Sequence, residues 1–308
     1  MKQCDVFYIT YDEPQADSSW ERLRGRIPWA KRIHGIKGFD AAYKACASAS
    51  GTPRFFTVDG DNELAPAATE LALDFSGYPE NAVLSWSARN SINGLSYGNG
   101  GIKNWPRDVV SEMQTHEASC SEGGAVDFCF QLPYHQMPET LSTTQIHLTP
   151  YQAFRAGFRE GVKMCLEKGR RPHFTAAENA ADTLRRHLWR DNLDRLRIWC
   201  SVGADVENGP WSIYGARLAC QMLCLTDWSH HSIRDYDWFR VFWEERQWPL
   251  FRLSDSAWDA GKMNDALACL ESPLNERLGL GVTALCPEAS RFFKSVYLNP
   301  PRNGPMFK

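Results

Sequence analysis

Two carboxylates separated by a single glycine, Asp59-Gly60-Asp61, end the apolar run Phe55-Phe56-Thr57-Val58. A short aromatic and β-branched run reads as a buried strand, so both acids are delivered at the edge of a sheet. Carboxylate oxygens so placed suit a hard divalent cation, Mg2+ or Mn2+, which keeps coordination positions for phosphate oxygens. Gly60 lets a bulky ligand come close to the backbone. Asp-Gly-Asp is also common in solvated turns, so its meaning depends on the residues around it.

Further residues of the right chemistry follow. His147 offers a neutral imidazole that can close the metal shell, although a lone histidine is more often a packing or surface residue. Asp127 stands in the strand-like run Ala125-Val126-Asp127-Phe128-Cys129-Phe130. Burying it without a partner is costly, so it is either hydrogen-bonded structurally or a catalytic carboxylate. Between residues 94 and 106, glycines at 94, 98, 100 and 101 interleave with Asn, Tyr, Lys and Trp. This stretch is either a glycine-rich hairpin loop or a backbone platform for a sugar ring, with Tyr97 or Trp105 as a stacking face.

The elements that must carry these residues alternate. A first strand spans 4–11 and is stopped by Asp12-Glu13-Pro14, and Asp17 or Ser18 can cap a helix through Trp20 and Leu23. A second short strand lies at 30–35. Gly38 opens a helix with Ala42, Ala45, Cys46 and Ala49 on its apolar face, and the third strand runs into Asp59. Strand, helix, strand, helix, strand is the order of a mostly parallel Rossmann-type sheet, whose ligands bind beyond the carboxyl ends of the strands. Asp12, Lys37, Asp59 and Asp61 all fall at that edge.

A fourth strand is expected over 81–87. From Pro150 the pattern turns helical: Thr149 caps a helix over 151–168, a second runs over 175–200 from Thr175, Pro210 opens one reaching Leu225, and another covers 235–246. The tail from Pro287 reads as irregular. The expected division is therefore 1–150, a sheet-bearing part, and 151–308, a helical part.

Composition bounds the rest. The 308 residues carry a formal charge of -3, twelve Trp and ten Cys. The cysteines show no CxxC pair and no metal-ligand spacing, and read as reduced core residues of a cytosolic protein. No signal peptide or long apolar run is visible, which speaks against secretion and membrane spanning. Residues 155–197 hold eleven Arg and Lys against six Asp and Glu. That excess is either a phosphate-backbone footprint or a salt-bridged helix surface.

Taken together, the first strand, the Gly35-Ile36-Lys37-Gly38 turn and the run ending in Asp59-Gly60-Asp61 resemble the nucleotide-sugar half of a GT-A-type glycosyltransferase. Five phrases resemble, more narrowly, phage-encoded glycosyltransferases of hydroxymethylated pyrimidines in DNA. They are Tyr11-Asp12-Glu13-Pro14, residues 32–38, Val58-Asp59-Gly60-Asp61-Asn62, residues 97–103 (Tyr97-Gly98-Asn99-Gly100-Gly101-Ile102-Lys103) and residues 203–209. The chain departs from the general GT-A pattern in having no paired-acid motif after the glycine-rich stretch.

The resemblance implies a UDP-sugar donor bound with Mn2+ or Mg2+ at Asp59 and Asp61. Tyr11 and Asp12 would face uracil and ribose, Gly100 and Gly101 the donor sugar, and Lys37 or Lys103 the leaving diphosphate. Asp127 is the candidate base. The acceptor it implies is 5-hydroxymethylcytosine in double-stranded DNA, in the host cytoplasm if the chain is phage-encoded. A glycan or protein hydroxyl, a metal-dependent nucleotidyl or phosphoryl transfer, and a nucleic-acid-binding module without catalysis are the competing readings. The donor sugar, the stereochemical course and the oligomeric state are left open by the sequence.

Overall fold

Strand β1 (Asp5–Thr10) sends alternate side chains to opposite faces of the sheet, and this alternation organises the first half of the chain. Val6 and Tyr8 join a core with Leu23 and Ile27 of α1 (Ala16–Arg26), together with Phe56, Val58 and Trp86. Phe7 points the other way and packs with Phe55, Trp105 and the Tyr43, Cys46 and Ala47 face of α2 (Phe39–Ala49). Both sheet faces are thus covered, which is why β1 and β3 (Arg54–Asp59) read as continuous apolar runs rather than alternating ones. The computed structural model describes residues 1–98, 100–113, 132–173, 180–188, 190–297 and 304–305.

Strands β2 (Lys31–His34), β4 (Asn62–Leu64), β5 (Val83–Asn90), β6 (Ile102–Pro106) and β7 (Tyr134–Thr144) complete one sheet in the order β2-β1-β3-β6-β5-β7-β4, with β8 (Gly304–Pro305) paired to β7. β1 is parallel to β2 and to β3, and β5 is parallel to β7, whereas β6 and β4 run the opposite way. Five of the seven strands along that path therefore share one direction. One turn of helix, α3 (Pro66–Thr69), and the short α4 (Arg107–Glu112) lie between strands. The fold class read from the sequence, a mostly parallel Rossmann-type sheet flanked by helices and followed by a largely helical region, is the one observed.

The chain divides into two compact units, Met1–Gln145 with β8, and Ile146–Tyr297. The second is built from α5 (Pro150–Met164), α6 (Ala180–His187), α7 (Arg190–Trp199), α8 (Gly209–Leu225), α9 (Tyr236–Phe242), α10 (Trp248–Phe251), α11 (Ala260–Leu278) and α12 (Pro287–Val296). Its centre is the pair α5 and α8, which approach so closely that a Cβ on Gly157 would lie 1.9 Å from Ser212 O, and one on Gly215 2.4 Å from Phe154 O. Phe154, Phe158, Trp211, Tyr214 and Trp243 pack around them. No helix among the described residues is long and apolar enough to cross a membrane.

Several element boundaries differ from those the sequence predicts. Helix α1 starts at Ala16 with Gln15 as its cap residue and no side-chain cap, so neither Asp17 nor Ser18 caps it. The single helix expected over 175–200 is two, α6 and α7, and the Thr175 cap lies outside the described residues. The tail from Pro287 is a helix: Pro287 occupies the first turn, where its missing N–H costs nothing. The expected cap Thr149 does accept a hydrogen bond from Gln152 N at 3.1 Å.

Candidate active site

The carboxyl ends of β1, β2 and β3 are level, because Thr10 pairs with His34 and Ile9 with Asp59. Antiparallel β6 begins at the same edge, with Lys103 opposite Thr57 and Ile102 opposite Val58. Sheet topology alone therefore gathers the end of β1, the turn after β2, the Asp59-Gly60-Asp61 turn and the Gly100-Gly101 approach to β6.

Asp59 is the centre of this edge. Lys103 Nζ lies 3.4 Å from Asp59 Oδ2 and donates to Gly100 O at 3.1 Å. The lysine side chain is only 7% exposed and the aspartate 34%. Tyr43 of α2 donates its hydroxyl to Asp59 Oδ1 at 3.1 Å. Burial, and then the Asp59 charge, push the Tyr43 phenol well above its ordinary range, so it stays protonated as a donor. Asp59 N in turn donates to Gly101 O at 2.9 Å.

Asp61 is oriented by its neighbour. Asn62 Nδ2 donates to Asp61 Oδ1 at 2.7 Å, while Ser142 of β7 fixes Asn62 by donating to its Oδ1 at 2.7 Å. Tyr8 donates its hydroxyl to Gly60 O at 2.8 Å, and burial raises this phenol to about 12, with the Asp61 and Glu13 charges adding to the effect. Tyr43 and Tyr8 carry no signal that marks them in the sequence, since each looks like an ordinary core residue, and Asn62 is marked only as the end of the Val58–Asn62 phrase.

The glycines are explained by packing inside the protein. A Cβ on Gly60 would lie 2.8 Å from Ile9 O and from Thr10 Cγ2, so the close packing against β1 by itself requires glycine here. A Cβ on Gly100 would lie 2.1 Å from Ala88 N, and one on Gly101 1.9 Å from Asn62 Nδ2. Both residues are buried against β5 and Asn62. Trp105 is wholly buried, its indole N–H donating to Thr57 Oγ1 at 2.9 Å, so it offers no stacking face. Tyr97 remains partly exposed.

The other expected residues are placed as follows. Tyr11, 43% exposed, and Asp12 follow β1, and Tyr11 N donates to Glu13 Oε2. Lys37 is exposed in the turn after β2. His147 belongs to the helical unit. There its Nδ1 is buried without a hydrogen-bond partner and burial lowers its pKa, while its carbonyl accepts from Asn208. Asp127 and the strand expected around it lie outside the described residues, as does Asn99.

Asp59 and Asp61 fit a hard divalent ion by the chemistry of their donors. A carboxylate offers about four lone-pair sites, and Asp59 keeps some beyond those used by Lys103 and Tyr43. Among the described residues, no third His, Cys, Asp or Glu joins the two within ligand distance, so further ligands would come from phosphate oxygens and water. Four of the eleven basic residues of 155–197 pair with acids of the same segment: Lys163 with Glu160, Arg185 with Asp182, Arg195 with Asp191 and Arg197 with Asp194.

No family model matches this chain, and neither does any curated protein. Two solved structures align with part of it. One is a glycosyltransferase involved in the glycosylation of the major capsid of PBCV-1, at 12% identity and a TM-score of 0.24, covering 35% of this chain and 61% of that one. The other, from Bacillus anthracis and solved with a sucrose, is provisionally named a glucose-1-phosphate thymidylyltransferase. It aligns at 20% identity and a TM-score of 0.29, covering 46% of this chain and 72% of that one. With both TM-scores under 0.5, the chain is assigned to neither.

Proposed function

We propose that this chain is a metal-dependent GT-A-like glycosyltransferase that moves a sugar from a UDP-sugar to a hydroxyl acceptor, 5-hydroxymethylcytosine in double-stranded DNA. The observation that carries the reading is the Asp59–Lys103 contact at the carboxyl edge of parallel strands, with Asp61 in the turn that follows, where such sheets bind nucleotides. The excess of basic residues over 155–197 supports a polyanionic acceptor. The division of labour proposed for the two parts, 1–150 for the donor and 151–308 for the acceptor, follows from these two features.

Asp59 and Asp61 would hold Mn2+ or Mg2+, which would supply Lewis acidity at the diphosphate. Lys103 turns from Asp59 toward the departing phosphate oxygens and meets the charge that develops there. Lys37, in the turn after β2, supplies a second positive group, and Tyr11 and Asp12 face the base and ribose. The acceptor oxygen forms its bond to the anomeric carbon as the bond from that carbon to the phosphate oxygen breaks, so the electron pair leaves with UDP. The acceptor proton passes to a carboxylate base, the role given to Asp127.

The same carboxylate pair also suits nucleotidyl transfer to a sugar phosphate, and one experiment separates the two. The protein is incubated with Mn2+, a panel of UDP-sugars and DNA containing 5-hydroxymethylcytosine, and the nucleosides are weighed by mass spectrometry. A parallel arm carries nucleoside triphosphates and sugar 1-phosphates. A hexose or pentose mass on one nucleoside supports the proposal. UDP release without a DNA product moves the acceptor to a glycan or protein hydroxyl, and pyrophosphate release in the second arm alone overturns glycosyl transfer.

A further inference from the structure

The ten cysteines include no CxxC pair, yet three of them meet in the fold. Cys220 and Cys224 stand four residues apart on α8, hence on one face of that helix. Cys165 is the C-terminal cap residue of α5, which the glycines at 157, 161 and 215 allow to lie directly against α8. The three sulfurs all lie within 4.8 Å of one another, with Cys165 Sγ 3.6 Å from Cys220 Sγ. All three side chains are buried.

We infer that Cys165, Cys220 and Cys224 form a ligand set for one thiophilic divalent cation of the zinc class, built wholly within the helical unit. Sulfur is the ligand such ions select, and thiolates at about 2.3 Å from one tetrahedral ion sit roughly 3.8 Å apart. The observed spacing brackets that value without movement of either helix. Binding displaces three thiol protons to solvent, and a divalent ion with three thiolates carries one net negative charge. Arg171 donates to the carbonyls of Thr226 and Trp228, just after α8, and so places a cation near the helix end that carries Cys224. Cys200, also wholly buried, is not among the sulfurs that lie within 4.8 Å of one another. The consequence is a clamp holding the end of α5 to α8, separate from the chemistry proposed at Asp59.

Reduced, metal-stripped full-length protein is titrated with Cd2+ in the absence of added thiols. The expected result is an ultraviolet thiolate-to-cadmium band that saturates at one ion per chain, with a rise in the thermal unfolding midpoint. Cys220→Ala and Cys224→Ala each lower the Cd2+ affinity at least ~10-fold, whereas Cys269→Ala, at an exposed cysteine, and the Cys120→Ser, Cys129→Ser double variant leave it unchanged. Cadmium NMR of the unaltered protein serves if the variants do not fold, and a resonance in the range of sulfur-rich sites is expected. A band that appears only after unfolding, one unchanged in Cys220→Ala, or a resonance in the oxygen and nitrogen range overturns the site.

Discussion

Lys103 Nζ and Asp59 Oδ2 stand 3.4 Å apart across the β3–β6 pair, and the lysine is nearly enclosed where the aspartate still meets solvent. The ammonium is therefore held inside the sheet edge and faces outward through its partner. Lys103→Met removes the charge without opening a large hole. The rate of UDP release from the donor is expected to fall about 100-fold, the loss typical of one electrostatic group at a leaving oxygen, while circular dichroism and urea unfolding stay near those of the parent.

Tyr43 completes the hold on Asp59 from the other oxygen. Tyr43→Phe leaves the ring in its stack on Phe39, 3.9 Å between centroids, and deletes only the hydroxyl. A stability loss of about 1 kcal/mol in urea is expected, the net worth of one such hydrogen bond. An Asp59 held by Lys103 alone meets its ligands less well, so the Mn2+ concentration for half-maximal activity is expected to rise.

Asn62 links Gly101 to Asp61. Gly101→Ala places a methyl group 1.9 Å from Asn62 Nδ2 and forces that side chain away from both Asp61 and Ser142. The expected cost is about 1–3 kcal/mol by urea unfolding, with weakened Mn2+ binding. Asn62→Ala in the same background relieves the clash, so the double variant is expected to unfold at higher urea than Gly101→Ala alone.

Acid weakens the helical unit. Burial, together with the charges of His231, Arg234 and Arg171, lowers His230 from 6.5 to about 4. The folded form thus resists a proton that the unfolded chain accepts, so stability is complete above pH 6.5 and is lost as pH falls from there toward 4. His147, lowered by burial, acts in the same direction. The unfolding midpoint is expected to drop across that window, and His230→Gln flattens the slope. A midpoint with the same slope in that variant contradicts the assignment.

How much of this was legible in the sequence follows from range of interaction. The β1-α1-β2-α2-β3 alternation is written in local pattern, and so is the end of β3 at Asp59, because apolar runs and their breakers are local signals. Strand β6 is hidden behind the glycines at 98, 100 and 101, which punctuate it as loop. In β7 a proline and several polar residues blur the strand pattern. Asp59, Asp61 and Lys103 were legible as candidates because charged residues beside apolar runs stand out. Tyr43 was not, since on the buried face of α2 it differs from its neighbours only by a hydroxyl whose partner lies 16 residues away. The sulfur cluster was invisible for the same reason, with 55 residues separating Cys165 from Cys220.

The central claim is tested most directly by diffraction from crystals soaked with UDP and Mn2+, using the anomalous signal of manganese. The account predicts one manganese peak between the Asp59 and Asp61 carboxylates, with both phosphates on it and Lys103 Nζ turned to the diphosphate. A nucleotide bound elsewhere, or a manganese peak away from these two carboxylates, contradicts it.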